Sequence, residues 1–90
     1  MSDIQHQAAS RRFTTQADGH EAYVEYEQGD GVMTITHTIV PAAIGGRGIA
    51  GQLVQAAMDH ARAEGLKVMP ACSYAEGWLS KHPQYADLRA

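Results

Sequence analysis

The segment Val32-Met33-Thr34-Ile35-Thr36-His37-Thr38-Ile39-Val40-Pro41-Ala42-Ala43-Ile44-Gly45-Gly46-Arg47-Gly48-Ile49-Ala50-Gly51-Gln52-Leu53-Val54 carries the chain from a strand, through a glycine turn, into a helix. Val32 to Val40 is rich in β-branched residues and alternates. It predicts a strand with Met33, Ile35, His37 and Ile39 on one face and Thr34, Thr36, Thr38 and Val40 on the other. Pro41 cannot donate to a ladder and restricts the residue before it, so the strand stops there. From Gly48 to Glu64 the residues Ile49, Ala50, Leu53, Val54, Ala57, Met58 and Ala61 recur at spacings of three and four, which makes a helix with one buried stripe. Gly65 is placed to cap it in the left-handed conformation.

Working outward towards the N-terminus, His20 to Gln28 alternates, with Ala22, Val24 and Tyr26 opposite Tyr23, Glu25 and Glu27. This is the pattern of a half-buried antiparallel strand. Arg11 to Gln16 reads as a shorter strand closed by Ala17-Asp18-Gly19. Residues 1–10 lack either periodicity and are expected to form a flexible arm, leaving 11–90 as one domain. Towards the C-terminus, Leu66 to Ala71 is a short strand interrupted by Pro70. Ala75 to Lys81 is helical, His82-Pro83 breaks the helix, and Gln84 to Arg89 adds a last turn. Three strands pairing as a meander, followed by a strand, helix and strand of about 30 residues, the size of a βαβ unit, give an α+β fold.

Composition narrows the function. Ninety residues with 44% hydrophobic and 19% charged side chains make one small folded domain in which a ligand must share the core's own cleft. A net charge of −3 with its cations scattered lacks the clustered basic face of a nucleic-acid binder. No apolar run suits a signal peptide or a membrane span, and a single cysteine, Cys72, suits a reducing compartment; a cytoplasmic protein is expected.

Gly45, Gly46 and Gly48 stand where a helix begins, and there the first backbone N–H groups lack acceptors and the helix dipole is positive. Glycines allow close approach by a diphosphate and tolerate the positive φ that points N–H groups inward. Arg47 adds a charge. They also serve simply as a tight connection. The phosphate loop of nucleotide triphosphatases is excluded, because Gly51 is followed by Gln52 and Leu53 rather than Lys and Ser or Thr. Gly46-Arg47-Gly48-Ile49-Ala50-Gly51 matches the dinucleotide pattern G-x-G-x-x-G, yet the acid that pattern wants about 20 residues on is missing, with Ala71 and Cys72 in that region.

The strand Met33 to Pro41, the turn and helix start Gly46 to Val54, the run Gly65-Leu66-Lys67-Val68-Met69-Pro70-Ala71-Cys72-Ser73-Tyr74 and the closing Lys81-His82-Pro83-Gln84-Tyr85-Ala86-Asp87-Leu88 follow one another in a distinctive order. Together they resemble the small stand-alone GNAT-like N-acetyltransferases, which are similar to the coenzyme A binding half of larger acetyltransferases. The likeness spans roughly residues 20 to 88. It departs at one point: the superfamily's turn has Arg or Gln, two residues, Gly, one residue, then Gly or Ala. Here Gly48 and Ala50 match, but Gly45 holds the Arg or Gln position.

The resemblance implies an acetyl-coenzyme A dependent N-acetyltransferase acting on an unidentified amine, or a coenzyme A binding module with little catalysis. It implies that the strands ending at Pro41 and Cys72 run parallel and splay apart around the pantetheine arm. The cofactor contacts implied are Ile39, Val40, Gly45, Gly46, Arg47, Gly48, Ile49, Ala50 and Gly51. It also places the family's catalytic His and Cys at His37 and Cys72, so that Cys72, activated by His37, accepts the acetyl group before the amine. Direct attack by the amine, with His37 or water as base, is the rival route. His37 lies four residues before Pro41, about 13 Å back along the strand, within reach of a long extended arm. Tyr74, Trp78 and Tyr85 either pack the core or line the cofactor groove. His6, His20, His60 and His82 show no metal-ligand spacing, and no metal is expected.

Overall fold

The protein is described by a computed structural model covering residues 3–90. Strands β1 (Gln5–Gln7), β2 (Arg12–Ala17), β3 (His20–Gly29), β4 (Val32–Ile39) and β5 (Lys67–Pro70) form one sheet in sequence order, with helix α1 (Ile49–Ala63) between β4 and β5 and helix α2 (Ser73–Lys81) after β5. The first three pairings are antiparallel and β4–β5 is parallel, as a helical crossover requires.

Local chemistry sets these connections. Both hairpins turn on Asp-Gly, Asp18-Gly19 at φ 50° and 77° and Asp30-Gly31 at φ 54° and 76°. Positive φ at both central residues is the type I′ signature whose twist suits a hairpin. Helix α1 ends as its glycine predicts: Gly65 has φ +71°, its N–H bonds Arg62 O, and Leu66 N–H bonds Ala61 O at 2.8 Å. That pair of bonds is the Schellman arrangement.

The core lies between one face of the sheet and the helices. Ala22, Val24 and Tyr26 of β3 and Met33 and Ile35 of β4 meet the α1 stripe of Leu53, Val54, Ala57, Met58 and Ala61, most of them fully buried. Ala75, Trp78 and Leu79 of α2 complete the same cluster. On the outward face Glu27, His37, Ile39 and Met69 are exposed, while Arg12 lies over the Tyr23 ring and pairs with Glu25. Residues Pro83–Leu88 form a 3-10 turn, and the chain end docks beside β5 through Ala90 N–H to Val68 O.

Two expectations change. Residues 5–10 are not a loose arm: Gln5–Gln7 pair with β2 as the edge strand, and Ala8–Ser10 form a 3-10 turn closed by Arg11 in the left-handed conformation. Met1 and Ser2 of the expected arm lie outside the described residues. A three-residue strand holds because His6 stacks on Phe13 at 4.2 Å and bonds the Tyr26 hydroxyl, side-chain anchoring that periodicity cannot reveal.

The second change concerns β4. Tyr26 pairs with Ile35 but Glu25 pairs with His37, so Thr36 is an extra residue, a β-bulge. The Thr36 hydroxyl donates to the Glu25 carbonyl at 3.1 Å and holds the kink. Beyond it the two faces exchange. His37 and Ile39 turn outward, away from Met33 and Ile35, and Thr38 turns inward opposite Val24.

Candidate functional site

The sheet opens on one side only. The β4–β5 ladder ends at the pair Ile35 and Pro70, four residues before β4 itself ends at Ile39. Pro70 lacks the N–H that a further rung would need. The next two N–H groups, of Ala71 and Cys72, both converge on Ile35 O, at 3.0 and 3.2 Å, and the chain then leaves the sheet into α2. Thr36 to Ile39 therefore have no β5 partner on that side. Ile39, Met69 and Tyr74, all more than 40% exposed, are the large hydrophobic side chains left uncovered among the described residues. They sit on β4, β5 and α2, the three elements that border the opening.

Cys72 stands at the vertex. It is half-buried, and its Sγ lies 3.4 Å from Thr38 Oγ1. Its Sγ also accepts the Ala75 N–H at 3.4 Å, so the sulfur serves as N-cap of α2. Thr38 reaches it because the Thr36 bulge turned Thr38 inward; the alternation of the sequence had assigned Thr38 to the opposite side, and no sequence signal marks the bulge. His37, turned outward by the same bulge, sits across from Glu25 on the exposed face. Ser10, Arg11, Glu27 and Thr36 border the shallow depression there. The expected pairing of His37 with Cys72 is thus not present: His37 and Thr38 are adjacent strand positions on opposite faces of the sheet, and the sulfur lies beside Thr38.

At the far end of the opening, Pro41 leads into a 3-10 turn at Ala42–Ile44 whose last residue, Ile44, is fully buried and anchors the loop to the core. Gly46 and Gly48 have φ +76° and +75°, and Gly48 is the N-cap of α1. No side chain caps α1, and its first helical bond runs from Gln52 N to Gly48 O. The N–H groups of Ile49, Ala50 and Gly51 precede that bond and have no helical acceptor. A Cβ built on Gly46 or Gly48 would meet no protein atom within 4 Å, so the space over the helix start is open.

Gly45 and Gly51 have other duties than the sequence suggests. Gly45 is in ordinary extended backbone at φ −69°, where any residue is allowed. At Gly51 an added Cβ would lie 3.4 Å from the Tyr74 hydroxyl and 3.6 Å from Trp78 Nε1, ordinary contact distances, so α2 packs on the first turn of α1 here with room for a small side chain only. Arg47 is held in an ion pair with Asp18 of the β2–β3 turn. Trp78 is buried and stacked on His82, Tyr85 is half-buried with its hydroxyl on Asp59, and Tyr74 is exposed.

A mixed sheet whose single parallel pair parts beside a glycine-opened helix is the α+β architecture of the GCN5-related acetyltransferases. The family model for the GCN5-related N-acetyl-transferase matches residues 12–88, and the chain belongs to that family. Protein NATD1 from Gallus gallus is 36% identical over 83 residues, which cover 89% of this chain and 76% of that protein. Protein NATD1 from Homo sapiens is also 36% identical, with 89% and 74% covered. The solution structure of a GCN5-like protein from Staphylococcus aureus superposes with a TM-score of 0.77 at 30% identity, covering 98% of this chain and 87% of that one. Among the described residues no helix is long and apolar enough to cross a membrane.

Proposed function

We propose that the chain binds acetyl-coenzyme A across the β4–β5 opening and transfers the acetyl group to an amine. The observation that carries this reading is the alignment of two features along β4. The uncapped start of α1, with Gly46 and Gly48 clearing the way, suits the diphosphate. The strand from Ile39 back to the vertex at Ile35 offers unpaired backbone and apolar contact to an extended pantetheine arm, with the Ile39 and Val40 segment its entry.

On this reading the thioester ends beside Cys72 and Thr38. Direct transfer needs the acceptor to lose a proton, its nitrogen to bond the carbonyl carbon, and coenzyme A to leave as the thiol. His37 fits the first task from the exposed face, since imidazole suits proton transfer near neutral pH. A second route is favoured by the position of the sulfur. Cys72 Sγ attacks the carbonyl, coenzyme A leaves carrying the thiol proton, and the amine then attacks acetyl-Cys72 and restores the thiol. In that route His37 serves the amine rather than the thiol, because it does not face the sulfur. Gly45 gives no side chain to the diphosphate, so Arg47 would contribute only by leaving Asp18.

Calorimetric titration with coenzyme A and with NAD tests the ligand: coenzyme A binds and NAD does not, and the reverse result overturns the proposal. Intact mass after incubation with acetyl-coenzyme A separates the routes. An acetyl adduct that disappears in Cys72→Ala supports the covalent one, and turnover without any adduct supports direct attack. Binding without acetyl release across an amine panel would identify a coenzyme A binding module.

A further inference from the structure

Strand β1 has little to hold it. It is the edge of the sheet, it pairs through three residues only, and Gln5, His6 and Gln7 include none of the β-branched, Phe, Tyr or Trp residues enriched in strands. Two side chains tie the arm to the rest of the molecule. Ile4 packs, partly buried, against the core cluster, and His6 enters a group of rings. Ile4 holds at any pH; His6 does not.

His6 lies flat on Phe13, with ring centroids 4.2 Å apart and 4° between the planes, and its Nε2 is 2.5 Å from the Tyr26 hydroxyl. The His60 ring of α1 meets it edge-on at 4.4 Å and also rests against Phe13, at 5.6 Å. Two imidazoles from distant parts of the chain thus share one phenyl ring. Little around them offsets a proton. Arg11, at the end of the arm, places a fixed positive charge near the Tyr26 hydroxyl. No carboxylate among the described residues bonds either imidazole: Asp59 accepts the Tyr85 hydroxyl, Glu25 pairs with Arg12, and Asp3 on the arm and Glu64, one turn beyond His60, form no ion pair with them. The Phe13 face attracts a cation, but burial against the rings, and next the neighbouring His60, hold the His6 pKa below its ordinary value.

The sign follows from linkage. Released, His6 takes up a proton at the ordinary imidazole value; docked, it does so only at lower pH. Docking of the arm is therefore favoured above the ordinary imidazole range and loses ground as pH falls through and below it, by about tenfold in the docked-to-released ratio for each pKa unit of lowering. The arm continues into the Ala8–Ser10 turn, and Ser10 and Arg11 border the depression that holds His37. We propose that β1 is a pH-sensitive latch: the His6–His60 contact keeps the arm on the sheet at neutral pH and lets it go in mild acid, opening the His37 depression on its Ser10–Arg11 side. The latch regulates access to that face whatever ligand the β4–β5 opening takes.

The test is backbone NMR relaxation on the intact, ligand-free protein, with the ¹H–¹⁵N heteronuclear NOE followed from pH 7.5 to pH 5, across the imidazole range. At the upper end the amides of Gln5–Gln7 are as rigid as those of β3. At the lower end their NOE drops towards that of a mobile chain end, while β3, β4 and α1 keep theirs, which separates release of the arm from global unfolding. His60→Gln removes the second imidazole and puts a better helix former in α1, and the midpoint of the release moves to lower pH by half a unit or more. An arm equally rigid at both ends of the range overturns the proposal without any variant, and so does one equally mobile at both. An unchanged midpoint in His60→Gln overturns the role of the His6–His60 contact. No acetyl donor or acceptor enters the measurement, so its failure and that of the acetyl-coenzyme A reading are separate results.

Discussion

Helices α1 and α2 start on either side of the same opening and are built in opposite ways. Helix α1 begins at Gly48, in the left-handed conformation and without a side-chain cap. Helix α2 begins at Cys72, in extended backbone, with the sulfur accepting the Ala75 N–H. The first helix leaves its first N–H groups without a cap; the second satisfies one of its own with the Cys72 sulfur. The difference teaches that two helix starts at one opening can treat their backbone in opposite ways. On the proposed reading, bare N–H groups suit a diphosphate and a side chain held at a fixed point suits a thioester.

The strongest way to break the contrast is Gly48→Val. A β-branched residue at φ +75° is strained by about 1–3 kcal/mol, and its side chain would enter the space over the helix start. The melting temperature falls by several degrees, and calorimetry shows coenzyme A affinity lost by a hundredfold or more. Gly51→Leu comes next. It drives a side chain into Tyr74 and Trp78, and overpacking of this kind costs about 1–3 kcal/mol, so urea unfolding shifts to lower concentration. Gly51→Ala, at ordinary contact distance and with better helix propensity, leaves stability near wild type. Equal effects of Leu and Ala would show that α2 does not pack where the structure places it.

Cys72 sharpens the contrast. Cys72→Ser keeps a stronger cap and holds or raises the melting temperature, while Cys72→Ala loses the cap and about 0.5–1 kcal/mol. Both abolish any acetyl adduct in intact mass. A large stability loss in the serine variant would mean the sulfur serves packing rather than capping. Thr38→Val, which removes the hydroxyl beside the sulfur, costs less than about 1 kcal/mol, and its readout is a slower adduct or turnover rate.

The smallest effect is a pH dependence in the first turns of α2. Glu76 is held below its usual carboxylate range by hydrogen bonds from Arg89 and Ser80. Its unfolded value is the higher one, so its contribution is present above the usual carboxylate pKa and is lost as pH falls through the lowered folded value. Melting temperatures measured from pH 6 down to 3 decline less in Glu76→Gln than in the wild type. The difference shrinks in high salt because the pair is exposed.

Much of this was legible in the chain. Asp18-Gly19, Asp30-Gly31 and Gly65 marked their turns because positive φ leaves few residue choices, and the α1 stripe from Ile49 to Ala61 announced its buried face by spacing alone. Pro41 and Pro70 located the end of β4 and the end of the parallel ladder. What stayed hidden involved partners distant in sequence. The β1 strand depends on His6 reaching Phe13 and Tyr26, the loop anchor Ile44 on the core beneath it, and the role of Gly51 on Tyr74 and Trp78.

The sequence by itself determined the order of elements from β2 onward, the α+β class and the glycine-opened helix, since these follow from local conformational preference and periodicity. Only the tertiary structure decided which side chains meet. A strand's faces are read from a period of two, and one extra residue at Thr36 reverses every assignment after it. That bulge has no local signature, because it arises from the register between β3 and β4. It is the reason Thr38, and not His37, stands beside Cys72.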